Sequence, residues 1–336
     1  MNPSRSFRAE IPPVPAGTPR PFWSVMIPAY HCARFLRPTL ESVLIQDPGP
    51  DWMQIEVVDD HSTLDDPEAV VTEVGRGRVA FYRQAQNLGH TKNFQSCLMR
   101  ARGKVVHLLH GDDCVRDGFY RKLQHAFESQ PEIGAAFCRQ IFMDEAGNWQ
   151  SISPLEQAES GILVNGLERL ALEQRIMTPS IAVRREVYEK LGGFDRRLVC
   201  SEDWEMWVRI ASEYPIWYET EPLAVYRMHS DSNTGRHTRT GEDMRYTRMA
   251  IEIFKSYLPQ GKAERLSKKA RETYAFSALD TAYSMFLRRD LSAMFAQMRE
   301  AVSLSRSWKV LARIARSLLR AGADWTRRMI GRDAHD

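Results

Sequence analysis

The sequence predicts an α/β protein built on a mostly parallel, Rossmann-like sheet with flanking helices, followed by a helical C-terminal extension. Two observations predict this class. Short apolar runs alternate with amphipathic stretches over residues 24–109, an alternation typical of parallel sheets with crossover helices. From residue 243 onward the pattern is helical, and no proline follows Pro259.

The predicted strands and helices alternate along the first 130 residues. Apolar runs predict strands at residues 24–27, 55–58, 79–82 and 104–109. Helical spacing predicts helices at residues 33–46, 66–74 and 91–102, the last of them ending at Gly103 as its C-cap. Ligands of such sheets bind beyond the C-terminal ends of the strands, so we expect the main binding site there.

The pattern changes after residue 130. Residues 135–138 and 140–143 are predicted to be paired strands, with a turn at 145–148. Further helices are predicted at residues 168–175, 185–191 and 204–212. The polar segment 232–241 is predicted to be a linker, so we expect one domain over residues 22–235 and a helical region over 243–336.

Composition and charge favour a soluble cytoplasmic protein. Lys and Arg number 46 against 43 Asp and Glu, a balance that argues against a nucleic-acid-binding protein. Five unclustered cysteines indicate free thiols in a reducing compartment. No apolar stretch is long enough to span a membrane. Residues 1–21 are rich in proline and lack the apolar core of a signal peptide, so they are predicted to form a disordered leader.

Polar side chains follow three of the four predicted strands. Tyr30 comes after Pro28 and Ala29 at the end of the first strand, the pair Asp59–Asp60 ends the second, and the pair Asp112–Asp113 follows the fourth. Because parallel strands end at one edge of a sheet, we expect these side chains to lie close together. A divalent cation between carboxylates and nucleotide phosphates would explain the clustering, so the sequence predicts a Mg²⁺ or Mn²⁺ site. Either carboxylate pair, taken alone, is equally well explained as a helix N-cap or a solvated turn.

Two further candidates lie in the second half of the domain. Glu202 and Asp203 stand at the start of a predicted helix, where acidic side chains are either caps or a rigidly held general base. His229 follows an apolar run and, taken alone, is more typical of a structural histidine than of a ligand.

Together, six short motifs resemble those of the family-2 glycosyltransferases, an inverting group with the GT-A fold. They occur in the family's order and spacing, and the resemblance covers residues 22–235. The motifs are residues 24–30 (SVMIPAY), 56–62 (EVVDDHS), 87–93 (NLGHTKN), 108–113 (LLHGDD), 201–204 (SEDW) and 226–234 (YRMHSDSNT). Each motif is weak alone, and their combination makes the resemblance specific.

The resemblance implies a role for each motif. Asp60 would read the base of a sugar nucleotide, and Asp203 would be the catalytic base, with Glu202 beside it in the same acidic motif. The residues implied to hold Mn²⁺ or Mg²⁺ are Asp112, Asp113 and His229. The other residues implied to line the nucleotide are Pro28, Ala29, Tyr30, Asn87, Lys92 and His110.

Three histidines depart from the family's pattern. His31 stands where Asn is usual, and His61 stands where Gly or Asn is common. His110 replaces the first Asp of the metal-binding DxD motif, which leaves Asp112 as the surer metal ligand.

The family implies transfer of a sugar, with inversion, from a nucleoside diphosphate donor to a glycan or lipid-linked acceptor, in the synthesis of a surface polysaccharide or another glycan. Residues 22–130 would bind the nucleotide and residues 131–235 the acceptor. One alternative is a nucleotidyltransferase that makes sugar nucleotides, which the absence of glycine from residues 28–31 disfavours. The other is a catalytically silent nucleotide- or glycan-binding module, which the replacement at His110 leaves open.

The last segment of the sequence is basic and amphipathic. Apolar residues recur there at helical spacing: Trp308, Leu311, Ala315, Leu318 and Leu319. Basic residues are predicted on the opposite side: Lys309, Arg313, Arg316 and Arg320. Such a helix either lies peripherally on the anionic inner face of a membrane or packs on the protein with a solvated basic face.

Overall fold

The computed structural model describes residues 6–229 and 233–316, and in these ranges it has a ten-stranded sheet with flanking helices. The strands are β1 (Trp23–Ala29), β2 (Met53–Asp59), β3 (Ala80–Arg83), β4 (Val105–Leu108), β5 (Cys114–Val115), β6 (Ala135–Met143), β7 (Trp149–Ile152), β8 (Gly161–Ile162), β9 (Ile181–Arg184) and β10 (Ile216–Arg227). The helices are α1 (Ala33–Leu44), α2 (Pro67–Gly75), α3 (His90–Arg100), α4 (Phe119–Ser129), α5 (Gly166–Leu172), α6 (Arg185–Leu191), α7 (Glu202–Glu213), α8 (Asn233–Thr240), α9 (Glu242–Phe254), α10 (Gln260–Leu287) and α11 (Leu291–Leu304). The predicted α/β class is confirmed.

The first four strands form the parallel half of the sheet, as the alternation predicts. Their order is β3-β2-β1-β4. β1 pairs with β2 along its whole length, from Trp23 opposite Met53 to Ala29 opposite Asp59. Because these two strands end level with each other, the loops that follow them begin side by side. All seven residues of both strands are buried, which explains why they read as continuous apolar runs.

The second half of the sheet is mixed. β9 lies between β4 and β6 and is antiparallel to both, while β10 is parallel to β6. The prediction of two paired strands at 135–143 is wrong, because this stretch is one nine-residue strand, β6, whose hairpin partner is β7. The polar residue Arg139 does not interrupt β6, since its guanidinium donates to the Ser153 carbonyl.

The chain divides into two compact units. The first contains residues 6–170 and 174–229, and the second contains residues 171–173 and 233–316. In the first unit, α1 buries the apolar face that its spacing predicts, with Leu36, Leu40 and Val43 inaccessible to solvent. The second unit has its own small apolar core, which includes Ala278 of α10 and Ala301 of α11. None of the helices within the described ranges is both long and apolar enough to cross a membrane.

The predicted disorder of the leader is wrong for residues 6–21. Ala9 and Ile11 are buried, and Arg8 forms a β-bridge with Asp195. The Arg185 guanidinium donates to the Pro12 carbonyl at 2.9 Å. Two apolar side chains and these backbone partners hold the segment in place despite its prolines.

Two other local predictions fail for identifiable reasons. Gly103 is not a helix cap, because α3 already ends at Arg100; a Cβ on Gly103 would lie 2.6 Å from the Ser24 nitrogen, so the glycine permits a close backbone approach. The segment predicted as a linker is helical over α8, where the Thr238 carbonyl accepts a hydrogen bond from Gln297.

Candidate active site

The loops after β1 and β2 are held together by hydrogen bonds. The Asp60 nitrogen donates to the Ala29 carbonyl at 2.8 Å, and the His31 nitrogen donates to Ser62 Oγ at 2.9 Å. Asp59 is fully buried and accepts hydrogen bonds from Ser62 and Arg83, so it holds the second loop rather than facing a ligand. Asp60, the next residue, is also buried, and its carboxylate is directed toward the start of α3 instead.

Both histidines that depart from the family's pattern in these loops have left-handed backbones. The φ angle is 48° at His31 and 65° at His61. Gly and Asn tolerate this conformation best, and His is among the few other residues enriched in it. The replacements therefore keep the loop conformation.

Asp60 links the second loop to the start of α3. Its carboxylate accepts the backbone N–H groups of Leu88 at 2.8 Å and Gly89 at 2.9 Å. Burial raises the pKa of Asp60, although these two hydrogen bonds oppose the rise. Asn87 is exposed and accepts the Gly89 N–H, and Lys92 is exposed on α3.

Side-chain atoms that could ligate a metal ion converge in the turn at residues 110–113, which follows β4. One side-chain atom from each of His110, Asp112 and Asp113 lies within 4.8 Å of the others. The turn needs glycine between them, because a Cβ on Gly111 would lie 2.7 Å from Cys32 Sγ.

The end of β10 holds this turn in place. The Arg227 nitrogen donates to Asp113 Oδ1 at 2.8 Å, and His229 Nε2 lies 2.8 Å from Asp112 Oδ2. His229 is thus hydrogen-bonded to one of the carboxylates and lies next to the three converging atoms.

The donor set of the turn fits a divalent cation. His110 Nε2 is buried and has no hydrogen-bond partner among the residues that the structure describes, and the nearest cationic atom to the buried Asp113 Oδ2 is His110 Nδ1, at 3.5 Å. Burial, together with the neighbouring Asp112 charge, raises the pKa of Asp113 to about 6. The pKa of Asp112 is lowered: burial is the largest single influence and opposes the shift, but the hydrogen bond from His229 and the charges of His110 and His229 together outweigh it. The two carboxylates of the turn are the ligand type that suits Mn²⁺ or Mg²⁺.

The acidic motif opens α7. Ser201, with φ of 64°, turns the chain so that Glu202 and Asp203 occupy the first helical positions. Asp203 Oδ2 accepts from Gln174 at 2.7 Å and from Thr178 at 3.4 Å. Burial, followed by the adjacent Glu202 charge, raises the pKa of Asp203 to about 7. A fixed carboxylate with this pKa can accept a proton near neutral pH.

Two side chains of α3, His90 and Phe94, connect Glu202 at the start of α7 with the turn at 110–113. His90 Nε2 lies 3.1 Å from Glu202 Oε1, and the His90 ring meets the edge of Phe94 at a centroid distance of 5.5 Å. Phe94 in turn stacks on His110 at 5.1 Å. An unbroken series of contacts therefore leads from Glu202, the neighbour of Asp203, to His110 in the turn at 110–113.

Hydrogen bonds, ring contacts and short distances connect the side chains of most of the predicted site residues, and the side chains of the others lie outside this connected set. The joined residues are Asp60, His110, Asp112, Asp113, Glu202, Asp203 and His229. Pro28 and Ala29 are buried inside β1, and Tyr30 is exposed and stacks on His31. Within the described ranges, no hydrogen bond or ion pair connects the side chains of Tyr30 or Lys92 to the joined residues.

Sequence reasoning missed two members of the site, His90 and Gln174. His90 carried a usable signal, since it is a titratable residue directly after Gly89 in one of the six motifs. Gln174 carried none, because it lies in a stretch that reads as an ordinary helix end.

Comparisons with known proteins bear on the family and the fold of the chain. The family described as Glycosyl transferase family 2 matches residues 24–192. An uncharacterized glycosyltransferase of Methanocaldococcus jannaschii is 26% identical over 64% of this chain and 73% of its own.

Two solved structures share the fold. TarS of S. aureus, residues 1–349, superimposes with a TM-score of 0.61 at 16% identity, over 83% of this chain and 80% of that one. TarS has also been solved with UDP-GlcNAc. The mannosyltransferase PcManGT of Pyrobaculum calidifontis, in complex with GDP-Man and Mn²⁺, gives 0.55 at 18% identity, over 93% and 82%.

The family match covers half of the chain and spans β1 to α6, which carry the loops after β1 and β2 and the turn at 110–113. The mixed α/β fold with flanking helices is shared with these glycosyltransferase structures. The chain belongs to glycosyl transferase family 2.

Proposed function

We propose that the chain is a metal-dependent, inverting glycosyltransferase that moves a sugar from a nucleoside diphosphate donor to a hydroxyl of a glycan or lipid-linked acceptor, in the synthesis of a surface polysaccharide or another glycan. The observation that carries the proposal is the run of contacts through α3 from Glu202, beside the half-buried Asp203 with its pKa near neutrality, to the turn at 110–113, whose side chains could hold a cation. The donors bound by TarS and PcManGT, UDP-GlcNAc and GDP-Man, support a nucleotide sugar as the donor here.

Asp203 is the proposed base. Its carboxylate is oriented by Gln174 and Thr178, and it accepts the proton of the acceptor hydroxyl as that oxygen attacks the anomeric carbon. One carboxylate is enough, because a single displacement inverts the carbon without a covalent intermediate. Glu202 keeps a second negative charge beside the base.

The turn at 110–113 is the proposed leaving-group site. His110, Asp112 and Asp113 would hold the cation, and a cation bound there would neutralise charge that develops on the departing diphosphate. His229 orients Asp112 through their hydrogen bond. Asp60, with the loop after β1, is proposed to contact the base of the nucleotide.

A thermal-shift screen of UDP, GDP and TDP with Mn²⁺ tests the proposal. At about 100 times its dissociation constant, the cognate diphosphate should raise the melting temperature by about 5–10 °C, since it stabilises only the folded chain. The same diphosphate without metal, and the free nucleoside with metal, are the controls. If no diphosphate stabilises the protein, the proposal is wrong.

Donor hydrolysis separates the enzyme from a silent binding module. With UDP-GlcNAc or GDP-Man and Mn²⁺, we expect release of the nucleoside diphosphate, with water taking the place of the acceptor. Stabilisation by a diphosphate without turnover of any donor, alone or with glycan and lipid-linked acceptor mixtures, would contradict the catalytic proposal.

We also propose that the second unit contacts the cytoplasmic, anionic face of a membrane. Residues 308–316 are helical, and the helix packs on its own unit through Val310, which is fully buried. This leaves Trp308 74% exposed and Leu311 50% exposed. Exposed basic residues surround them: Arg306, Lys309 and Arg316. The other residues of the predicted basic helix, from Leu318 on, lie outside the described residues.

Vesicle sedimentation tests the membrane contact. The full chain should pellet with phosphatidylglycerol vesicles and much less with phosphatidylcholine vesicles, because the cations are attracted to anionic headgroups. The double variant Trp308→Ser, Leu311→Ser should bind about tenfold or more weakly, since burying one such side chain contributes about 1.5–3 kcal/mol. Trp52→Ser, which removes a tryptophan that is 55% exposed in the first unit, is the matched control. Equal pelleting of the double variant and the control would exclude this surface.

A further inference from the structure

Two helices that are distant in sequence begin next to each other beside the proposed base. His90 is the first residue of α3, and Glu202 is the first residue of α7. Their side chains meet at 3.1 Å, between His90 Nε2 and Glu202 Oε1. A second hydrogen bond, from Thr91 Oγ1 to the Leu198 carbonyl at 3.3 Å, joins α3 to the loop before α7.

We propose that His90 is a positioning residue: as a cation it pairs with Glu202 and holds that carboxylate ionised beside Asp203, so that Asp203 is the carboxyl that takes the proton. The inference rests on the proposed role of Asp203 as the base. It adds a residue that acts through Glu202 and does not itself touch the reacting atoms.

The His90–Glu202 pair is largely shielded from water. The Glu202 side chain is 9% exposed and the His90 side chain 21% exposed, so water screens their attraction only partly. The His90 ring is also fixed from its other side by Phe94. A buried carboxylate at this point needs a partner, since an unpaired buried charge is costly.

The electrostatics of the surroundings agree with an ion pair. Burial lowers the pKa of His90, but the hydrogen bond and charge of Glu202 reverse the shift, and the pKa is raised; Asp203 also raises it and His110 lowers it. Burial would raise the pKa of Glu202, but His90 lowers it, with a smaller contribution from His110. Asp60, on the loop after β2, also faces the His90 charge.

By pairing with Glu202, His90 makes the adjacent carboxyls Glu202 and Asp203 ionise at different pH values. Glu202 stays ionised at the pH where Asp203, raised to about 7, exchanges its proton. Environments that separate the pKa values of neighbouring acids are what assign acid and base roles in active sites. Without His90, Glu202 and Asp203 would compete for the same proton.

The pH dependence of donor hydrolysis distinguishes positioning from a purely structural role. We would measure kcat/KM for donor hydrolysis as a function of pH, with Mn²⁺ and the donor that is turned over. The acidic limb of this profile is the fall in kcat/KM at low pH, where Asp203 becomes protonated. Glu202→Gln removes the negative charge beside Asp203, so the acidic limb should move down by about one pH unit or more. His90→Gln removes the cation that favours both carboxylates, so the limb should move up. His125→Gln on α4 and Glu132→Gln, both exposed, are matched controls that should leave the limb in place. If Glu202→Gln and His90→Gln lowered kcat/KM but did not move the acidic limb in opposite directions, the proposal would be overturned.

A second measurement does not depend on turnover. In an NMR titration of the metal-free protein, the His90 ring, assigned from the signal lost in His90→Gln, should titrate above pH 6.5, the usual imidazole value. In Glu202→Gln its midpoint should fall below the wild-type value. A His90 midpoint that is at or below 6.5, or that Glu202→Gln does not change, would refute the ion pair.

The two measurements also separate this inference from the proposed function. If Asp203→Asn turned over donor normally, the base would be misassigned, while the NMR titration would still report the ion pair. If Asp203→Asn were inactive and the limb did not respond to His90→Gln and Glu202→Gln, only the positioning role would fail.

Discussion

Replacing Asp203 with Asn should lower the rate of sugar transfer about 10²–10⁴-fold, the usual contribution of a general base. The amide keeps the shape of the side chain and an oxygen for Gln174, so the fold and the affinity for the nucleoside diphosphate should be unchanged. Donor turnover and diphosphate binding, measured on the same preparation, check both parts of this expectation.

The matched control is Asp51→Asn, which makes the same chemical change at an exposed position before β2. It should behave as the wild type. If Asp203→Asn turned over donor as fast as Asp51→Asn, the base would have to be sought elsewhere.

The same substitution should stabilise the fold at alkaline pH. An acid whose folded pKa is raised, here to about 7, costs stability once it ionises, and the cost grows as the pH rises from the unfolded value near 3.9 to about 7. Asp203→Asn removes that cost, so its melting temperature should exceed that of the wild type at pH 8 and approach it at pH 4. Thermal melts at the two pH values give the comparison; an equal difference at both would contradict the raised pKa.

Removal of the metal should abolish donor turnover. We expect EDTA to stop release of the diphosphate and added Mn²⁺ to restore it, because the turn at 110–113 supplies the ligands. Asp112→Asn and Asp113→Asn should each weaken Mn²⁺ binding by about 100-fold or more, since even outer-sphere partners of a metal ligand are worth 10–100-fold. Calorimetric titration with Mn²⁺ measures this directly.

His229→Gln tests how His229 contributes. The structure places its Nε2 against Asp112 Oδ2, so an orienting role predicts a loss of about 10–100-fold in Mn²⁺ affinity, smaller than that of Asp112→Asn. Asp51→Asn again serves as the control. Unchanged Mn²⁺ affinity in Asp112→Asn, or turnover that persists in EDTA, would remove the metal from the proposed reaction.

The sequence was most informative where local pattern and burial coincide. β1 and β2 are buried along their whole length, so their apolar runs were read within two residues of the observed ends, and the polar residues that follow marked the edge of the sheet. The turn at 110–113 and the start of α7 were found in the same way, from carboxylates placed directly after a strand or at a helix start.

Long-range pairing was not predictable from local pattern. His90 and Glu202 are 112 residues apart, and Asp203 receives its hydrogen bond from Gln174, 29 residues before it. Neither pair leaves a trace in periodicity or spacing. Gly103 was misread for a related reason: a glycine that ends a helix and one that lets two backbones approach look alike in a sequence.

The position of β9 governs the order in which this chain can fold. β4 and β6 acquire their shared neighbour only when residues 181–184 insert between them, long after both strands have left the ribosome. Until β9 and then β10 are made, β4 lacks its β9 neighbour and β6 lacks its neighbours β9 and β10, and each open strand border is a template for pairing with another molecule. We therefore expect fragments cut before Ile181 to be prone to self-association.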